Sequence, residues 1–217
     1  SPPRRPGPVR ALLASLHSPS HFYLTLPDGL SSASSGRFEV WQESLHQFYS
    51  SLHTREHHLP SLPAPGSLLA ARARDGQWHR GLIRTGPCVE GHEDVEQVFF
   101  IDLGREEEEE MRDQRRLDTS FHSLAQQSLL CRLAGVEPLG DTWGGEAAAA
   151  LQDLATGRLT ARLHKARLAG VLEAHLVDLE VGRGEEVLPV AGEMVGRGVV
   201  RQVEAQGCWG IRDVLPG

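Results

Sequence analysis

The chain has 217 residues, of which 40% are hydrophobic and 24% are charged, and its formal net charge is -7 at pH 7. This composition is typical of a soluble globular protein, and no apolar run approaches the roughly 18 residues that a membrane span needs. The acidic excess argues against nucleic-acid binding, which requires a concentrated basic surface. Cys88, Cys131 and Cys208 form no CxxC pair, so neither a disulfide framework nor a zinc site is indicated, and a reducing intracellular compartment is expected.

The residues before position 60 predict a lead-in, one strand and one helix. Residues 1–8 are rich in proline and arginine and are expected to be disordered. Residues 22–26 alternate with a period of two, which predicts a half-buried strand. Apolar residues then recur at helical spacing, which predicts an amphipathic helix; they are Leu45, Phe48, Tyr49 and Leu52. Because these two elements are too small to hold a core alone, we expect them to pack with later strands.

The segment after the proline-rich boundary at residues 59–66 has the pattern of short strands joined by turns. The predicted strands are Ser67–Ala73, Trp78–Thr85 and Val95–Leu103. They predict a small antiparallel barrel or meander. Alternation places Trp78 and His79 on opposite faces of their strand, and Trp78 is expected in the core. The following acidic run, Glu106–Glu110, is interpreted as a solvated loop or helix face.

The second half of the chain is predicted to contain helices followed by strands. Residues 123–133 are compatible with a helix, and a second helix follows the cap residue Thr142 and ends at Gly157. The apolar face of this second helix consists of Ala147, Leu151 and Leu154. The later predicted strands are Leu159–His164, Val171–Leu179 and Glu186–Val190, with a short segment near Val199–Val203.

The sequence contains no arrangement that is typical of an active site. No G-x-S-x-G, P-loop or G-x-G-x-x-G motif stands between a strand and a helix, so neither catalysis nor a bound cofactor is expected. His53 and His57 have the spacing of two helical metal ligands, but the glutamate of the metalloprotease motif is absent after the first histidine. A solvated helix end is therefore the favoured interpretation, and no metal is expected.

Three segments of the predicted barrel carry a resemblance to a known family: Ser67–Arg72, Asp75–Gly81 and Val98–Gly104. Together they closely resemble the Tudor core of extended Tudor domains, which occur in the germline Tudor-domain-containing protein family. Residues 116–143 resemble the helical linker that follows this core. The resemblance implies a mainly β fold with α, in which a Tudor SH3-like barrel is joined by helices to a split staphylococcal-nuclease-like OB barrel.

The resemblance also implies a division of the chain into five segments. The lead-in covers residues 1–8, and the N-terminal part of the nuclease-like subdomain, a strand plus a helix, covers residues 9–59. The Tudor core covers residues 60–118, the linker helices cover residues 119–157, and the C-terminal part of the nuclease-like subdomain covers residues 158–217.

Members of this family bind arginine, often symmetrically dimethylated, in a cage of aromatic rings that attract the methylated guanidinium by cation–π and apolar contact. The family's cage positions fall on Ala73, His79, Phe100, Leu103 and Arg105. Only Phe100 is an unaltered aromatic wall, His79 is a partial substitute when neutral, and Arg105 adds a cation where the ligand's cation would enter. The resemblance therefore implies a degenerate cage, with weak or lost recognition of methylarginine.

Acidic residues near the cage positions are expected to attract a basic peptide. Asp102 matches the acid of the family's signature, and Glu106, Glu107 and Glu108 follow the cage strand. A second interpretation of Asp102, given equal weight, is that it caps the turn at Gly104.

The resemblance implies a non-catalytic module that docks arginine-rich, in some cases methylated, segments of PIWI-class proteins in cytoplasmic germline RNA granules of the piRNA pathway. Two alternatives remain open: a structural scaffold that binds neighbouring domains, and RNA binding through the OB-type surface. The second would use a basic group without aromatic rings, namely Arg158, Arg162, Lys165 and Arg167. A nuclease would need clustered carboxylates for a metal, and none can be assigned. No membrane partner is expected, and the oligomeric state is left open.

Overall fold

The computed structural model describes residues 7–27, 37–51, 57–61, 63–84, 95–165 and 174–203. The chain forms two compact units, one made of residues 1–30 and 129–217 and the other of residues 31–128. We call the first the split unit and the second the inserted unit, because the second interrupts the sequence of the first. A split body with a central insertion agrees with the architecture that the sequence resemblance implies.

Helices and strands have the following bounds. The helices are α1 Arg37–Ser51, α2 Gly145–Leu154 and α3 Val190–Gly196. The strands are β1 Val9–Arg10, β2 Leu12–Ser18, β3 His21–Thr25, β4 Leu68–Arg72, β5 Trp78–Ile83, β6 Val95–Phe100, β7 Arg105–Glu110, β8 Gln114–Arg116, β9 Ser128–Leu133, β10 Val136–Glu137, β11 Arg158–Lys165, β12 His175–Arg183, β13 Glu186–Pro189 and β14 Arg201–Gln202. Among the described residues, no helix is both long enough and apolar enough to cross a membrane.

The main sheet of the split unit has its described strands in the order β1-β11-β12-β9-β3-β2, with β13 added beside β12, and a second small sheet pairs β10 with β14. Strand β9 is parallel to β12, whereas β11 and β12 are antiparallel. Helix α2 packs on the sheet through Ala147, Leu151 and Leu154, which confirms the predicted apolar face, although Gly144 and not Thr142 is its N-cap. Cys131 lies in this core, and burial raises the pKa of its thiol to about 12, so the thiol stays protonated.

The inserted unit contains a five-stranded antiparallel sheet in the order β7-β6-β5-β4-β8, and its strands β4, β5 and β6 confirm the three predicted strands. Helix α1 covers one side of it through Leu45 and Tyr49, which pack with Trp78 and Phe121. The Tyr49 hydroxyl donates to the Arg116 carbonyl at 3.0 Å and accepts from the Asp118 amide at 2.7 Å. Burial is the main reason that the pKa of Tyr49 rises to about 12.

The structure differs from the sequence prediction in the placement of α1. We predicted that the strand and the helix of residues 9–59 belong together to the nuclease-like subdomain. Strand β3 does lie in the split unit, but α1 lies in the inserted unit. The physical reason is the aromatic content of its apolar face, because the rings of Trp41, Phe48 and Tyr49 pack against Phe121.

Three further elements differ from the prediction. The predicted helix at residues 123–133 is wrong, because residues 128–133 form β9, in which Ser128, Cys131 and Leu133 are buried. The acidic run is neither a loop nor a helix face but strand β7, paired along its length with β6. The predicted strand at residues 186–190 ends at Pro189, and α3, which was not predicted, begins at Val190.

Candidate functional site

Most of the positions that correspond to the family's cage are closed off from solvent. Ala73, His79 and Phe100 are exposed to only 4%, 3% and 0% of their surface. Ala73 and Phe100 belong to a small apolar core inside the barrel, and Leu59 and Leu103 pack against that core. The one unaltered aromatic wall, Phe100, is therefore a core side chain in this structure, and the aliphatic Leu59 and Leu103 cover the core to which it belongs.

His79 lies between an aromatic ring and a carboxylate. Its ring meets Phe100 edge to face, with 6.0 Å between the ring centroids and an angle of 78°. Nε2 of His79 lies 3.1 Å from Oδ2 of Asp75, in the turn between β4 and β5. Burial lowers the pKa of His79 and outweighs the opposite effect of the Asp75 carboxylate, so the ring is neutral at pH 7. As predicted, Trp78 points to the other face, where it packs with Tyr49.

Arg105 is partly exposed, and it is held by two acids. Its Nε donates to Oε1 of Glu107 at 2.6 Å. One terminal nitrogen of its guanidinium lies 3.9 Å from Oδ2 of Asp75, the same oxygen that contacts His79. One of the cage-equivalent positions is thus filled by a guanidinium of the chain itself, in contact with two carboxylates.

Asp102 has a different role from the two that were predicted for it. Its carboxylate is buried and accepts two hydrogen bonds from the Arg80 guanidinium, Nε to Oδ2 at 2.8 Å and a terminal nitrogen to Oδ1 at 2.7 Å. The backbone amide of Gln127 donates to Oδ1 at 3.1 Å. The turn at Gly104 is instead closed by its own amide, which donates to the Phe100 carbonyl at 2.8 Å. Asp102 therefore holds Arg80 inside the unit and presents no carboxylate to a peptide.

Arg80 is the hub of a buried polar network that the sequence analysis did not identify. In addition to Asp102, it donates to the carbonyl oxygens of Leu124 at 2.6 Å and Ala125 at 3.2 Å. Its guanidinium carbon also lies 4.8 Å from the centroid of the Trp41 ring. The one available signal was strand alternation, which puts Arg80 on the same face as Trp78 and therefore toward the covered side of the sheet.

Strand β7 divides its glutamates between two environments. Glu106, Glu108 and Glu110 are exposed, whereas Glu107 and Glu109 are buried. All three exposed acids have partners: Glu106 lies 3.4 Å from Nε of Arg84, Glu108 accepts from Gln97 at 2.9 Å, and Glu110 lies 2.8 Å from Nε of Arg112. The predicted acidic surface thus includes Glu106 and Glu108 but not Glu107, which accepts from Arg105 and from the Arg74 amide at 2.8 Å.

Glu109 is a buried acid, and its ionised form is less favourable in the folded protein than in the unfolded chain. Burial is the main cause that raises its pKa to about 7, and the adjacent Glu107 carboxylate adds to it through a hydrogen bond and through charge. Asp113 also raises this pKa, whereas the positive charge of Arg74 lowers it. Oε1 of Glu109 has no hydrogen-bond partner among the described residues. The raised pKa of Glu109 is therefore close to neutral pH, so this carboxyl gains or loses its proton near pH 7.

Replacing Glu109 with glutamine is expected to stabilise the protein at pH 8 by about 1–3 kcal/mol and to change its stability little at pH 5. A carboxyl whose folded pKa is raised binds more protons when folded, so its favourable contribution is lost as pH rises from about 4.5 through about 7. Urea unfolding at several pH values measures this effect. The matched control is Glu110→Gln, at an exposed position of the same strand. An equal gain at pH 5 and pH 8 would contradict the pKa assignment.

Two sequence interpretations fall outside the part of the chain that the structure describes. His53, the first residue of the histidine pair, is not among the described residues, while the ring of His57 lies 5.6 Å from that of Phe48. Arg167, one of the four basic residues considered for RNA binding, is also outside them. Within the described residues, no group of three or more histidine, cysteine and acidic side chains could hold a metal ion.

Comparison with known proteins gives consistent matches. A family model for the Tudor domain matches residues 9–135. Tudor domain-containing protein 1 of Danio rerio is 35% identical over 97 residues, which are 44% of this chain and 8% of that protein. Human RING finger protein 17 is 27% identical over 147 residues, which are 67% of this chain and 8% of that protein. The matched part of the chain therefore covers less than a tenth of the length of each of these relatives.

Solved structures match along nearly the whole chain. The extended Tudor domain TD3 of mouse TDRD1, in complex with a MILI peptide containing dimethylarginine 45, has a TM-score of 0.73 and 19% identity, with coverage of 92% of this chain and 95% of that chain. A variant of the extended Tudor domain of Drosophila melanogaster Papi, in complex with an unmethylated Piwi N-terminal peptide, has a TM-score of 0.73 and 22% identity, with coverage of 91% and 100%. Identities this low establish the fold alone. Because the Tudor model covers more than half of the sequence and the fold matches throughout, the chain belongs to the Tudor domain family and has the extended Tudor fold.

Proposed function

We propose that this chain is a non-catalytic docking module for arginine-rich peptide segments of PIWI-class partners, and that its recognition of methylarginine is weak or lost. The observation that carries the proposal is the burial of Phe100 and His79 beside an exposed acidic strand. Two structural neighbours were solved with peptides, one with a MILI peptide that contains dimethylarginine and one with an unmethylated Piwi peptide. By analogy, the module would act in cytoplasmic germline RNA granules.

The chemistry at the surface supports charge-based docking over cage-based docking. Recognition of methylarginine requires facing aromatic rings that the ligand can reach, and neither Phe100 nor His79 is accessible here. Glu106, Glu108 and Glu110 project outward from one strand, at alternate positions. Such a row attracts cationic side chains over a distance of about 8–10 Å at moderate salt, and this attraction falls as salt rises.

The experiment that tests the proposal is a calorimetric titration with a synthetic peptide of alternating arginine and glycine, unmodified and symmetrically dimethylated, at low and moderate salt. We expect the dimethylated form to bind no more tightly than the unmodified form, and we expect weaker binding of both at higher salt. The double variant Glu106→Gln/Glu108→Gln is expected to weaken binding about three- to tenfold at low salt. The matched control is Glu185→Gln/Glu186→Gln, which removes the same charge from an exposed turn of the split unit. Tighter binding of the dimethylated form would contradict the loss of the cage.

A structural scaffold is the second candidate function, and the same burial of the cage-equivalent positions favours it. In that case neither peptide would bind, and the exposed strand β7 would face a neighbouring domain of the parent protein. RNA binding by the split unit has less support. Arg162 lies directly opposite Asp178 in the β11–β12 pair, so an acid on the same face offsets its charge.

A further inference from the structure

Arg105 lies in an environment that resembles a bound state of arginine. Its Nε donates to Oε1 of Glu107 at 2.6 Å, and a terminal nitrogen lies 3.9 Å from Oδ2 of Asp75. A planar guanidinium between carboxylates is the arrangement that arginine-binding sites use, because each N–H can be directed at a carboxylate oxygen. Here the guanidinium comes from the chain itself, at one of the cage-equivalent positions.

The two carboxylates are held in place independently of Arg105. Oε2 of Glu107 accepts from the Arg74 amide at 2.8 Å, which leaves Oε1 directed at Arg105. Oδ1 of Asp75 accepts from the Gln77 amide at 2.9 Å, and Oδ2 contacts Nε2 of His79 at 3.1 Å. Both acids would therefore keep their orientation if the Arg105 side chain moved away.

The difference in exposure between Arg105 and Glu107 indicates that the Arg105 side chain can leave toward water and would then uncover the Glu107 carboxylate. The Arg105 side chain is 41% exposed, whereas the Glu107 side chain is only 4% exposed. A partly exposed ion pair contributes little to stability, so releasing Arg105 into water costs little by itself. Leaving Glu107 without a cation is the larger cost, because its carboxylate is buried and has Glu109 as a neighbour on the same strand. The arrangement therefore favours exchange of Arg105 for another cation over simple opening.

We propose that Asp75 and Glu107 form a binding site for an unmethylated arginine guanidinium, which Arg105 occupies as an internal ligand until an arginine of a partner peptide replaces it. This inference rests on the proposed function and names the chemistry of its ligand. The exchange conserves the charge of the site, the hydrogen bond to Glu107 and the ion pair with Asp75. Arg105 acts as a tethered competitor, so it weakens the binding of a free peptide without changing the site's preference.

The same chemistry explains why methylation would not improve binding. Methylation of arginine keeps the positive charge but removes N–H groups that the carboxylates need as donors. It adds apolar surface that is useful only against aromatic walls, and the Phe100 ring is fully buried. A carboxylate site thus selects the unmodified side chain, in contrast to an aromatic cage.

The decisive variant is Arg105→Gln, titrated with the unmodified arginine-glycine peptide and with its symmetrically dimethylated form. We expect the variant to bind the unmodified peptide about fivefold more tightly than the original chain, and the dimethylated peptide with a smaller gain. The matched control is Arg201→Gln, which removes the same charge from an arginine of the split unit that is paired with Glu137 at 2.9 Å. Arg201 is 61% exposed, so its replacement changes the net charge equally without opening the Asp75–Glu107 site, and we expect a gain below about twofold.

The possible results separate the two proposals. Equal gains in both variants, or weaker binding after Arg105→Gln, would overturn the internal-ligand inference while leaving charge-based docking intact. Binding only after Arg105→Gln would support the inference strongly. No binding by the original chain or by either variant would overturn both proposals.

A second measurement keeps the inference testable if Arg105→Gln lowers the stability of the protein. In the unmodified protein, the Nε–H resonance of Arg105 should show the downfield shift and slow exchange of a hydrogen-bonded group. Addition of the arginine-glycine peptide should move this resonance toward the position of a free arginine, while the resonance of Arg201, in the split unit, stays in place. Saturating binding that leaves the Arg105 resonance unchanged would overturn the exchange.

Discussion

Replacing Asp102 with alanine is expected to lower the free energy of unfolding of the inserted unit by about 3–5 kcal/mol. The Arg80 guanidinium is buried and would lose both of its carboxylate hydrogen bonds, at 2.8 Å and 2.7 Å, without access to water. The loss of the partner leaves an uncompensated charge inside the protein, which costs more than the pair itself contributes. Urea unfolding followed by tryptophan fluorescence measures this change, because Trp41 and Trp78 both lie in the inserted unit.

Two comparisons show whether burial is the cause. Glu137→Gln removes an acid from an exposed ion pair with Arg201, 2.9 Å apart, and is expected to cost less than about 1 kcal/mol. Arg80→Met combined with Asp102→Leu removes both buried charges and is expected to recover most of the stability lost in the single variant. An Asp102→Ala variant as stable as Glu137→Gln would contradict the assigned role of the buried pair.

The core strands of the barrel were predictable because the alternation of side chains along the sequence matches the faces on which the structure places them. Trp78 and His79 alternate in the sequence, and the structure places them on opposite faces, Trp78 under α1 and His79 beside Phe100. The apolar face of α2 was predictable for the same reason, since helical spacing alone marks Leu151 and Leu154 as buried. In both cases the spacing of residues within a single strand or helix is enough to predict the face on which each side chain lies.

The role of Asp102 could not be predicted, because its partners are distant in the sequence. The residue appears in a segment that resembles a binding signature, and nothing nearby indicates that Arg80 lies on the adjacent strand with its guanidinium directed at it. The carbonyl groups that complete the network belong to the irregular segment around Leu124. Such a network depends on contacts between residues that are distant in the sequence. Neither the alternation along the strand nor the turn at Gly104 therefore predicts it.

In strand β7, pairing with the neighbouring strand outweighs the low preference of glutamate for strands. Glutamate is depleted in strands, so a run of five glutamates favours a loop or helix in a local reading. Pairing with β6 along its whole length fixes β7 as a strand, and the pleat then turns Glu107 and Glu109 inward. The inward acids require compensation, which the Arg74 amide and the Arg105 side chain supply for Glu107. The candidate guanidinium site is thus a consequence of strand pairing that the composition does not reveal.

Replacing Phe100 with alanine is expected to lower the free energy of unfolding by about 3–5 kcal/mol without changing the ratio of affinities for dimethylated and unmodified arginine peptides. The ring is fully buried in the barrel core with Ile83 and Val98, so its removal leaves a cavity and not an altered ligand contact. Phe22→Ala, at a fully buried position of the split unit, should cost a similar amount by the same mechanism. Because Phe100→Ala can leave too little folded protein for titration, Phe100→Leu, with an expected cost below about 1.5 kcal/mol, provides the binding measurement. A changed ratio of the two affinities in Phe100→Leu would show that the ring contributes to ligand binding, and an unchanged ratio would place it in the core alone.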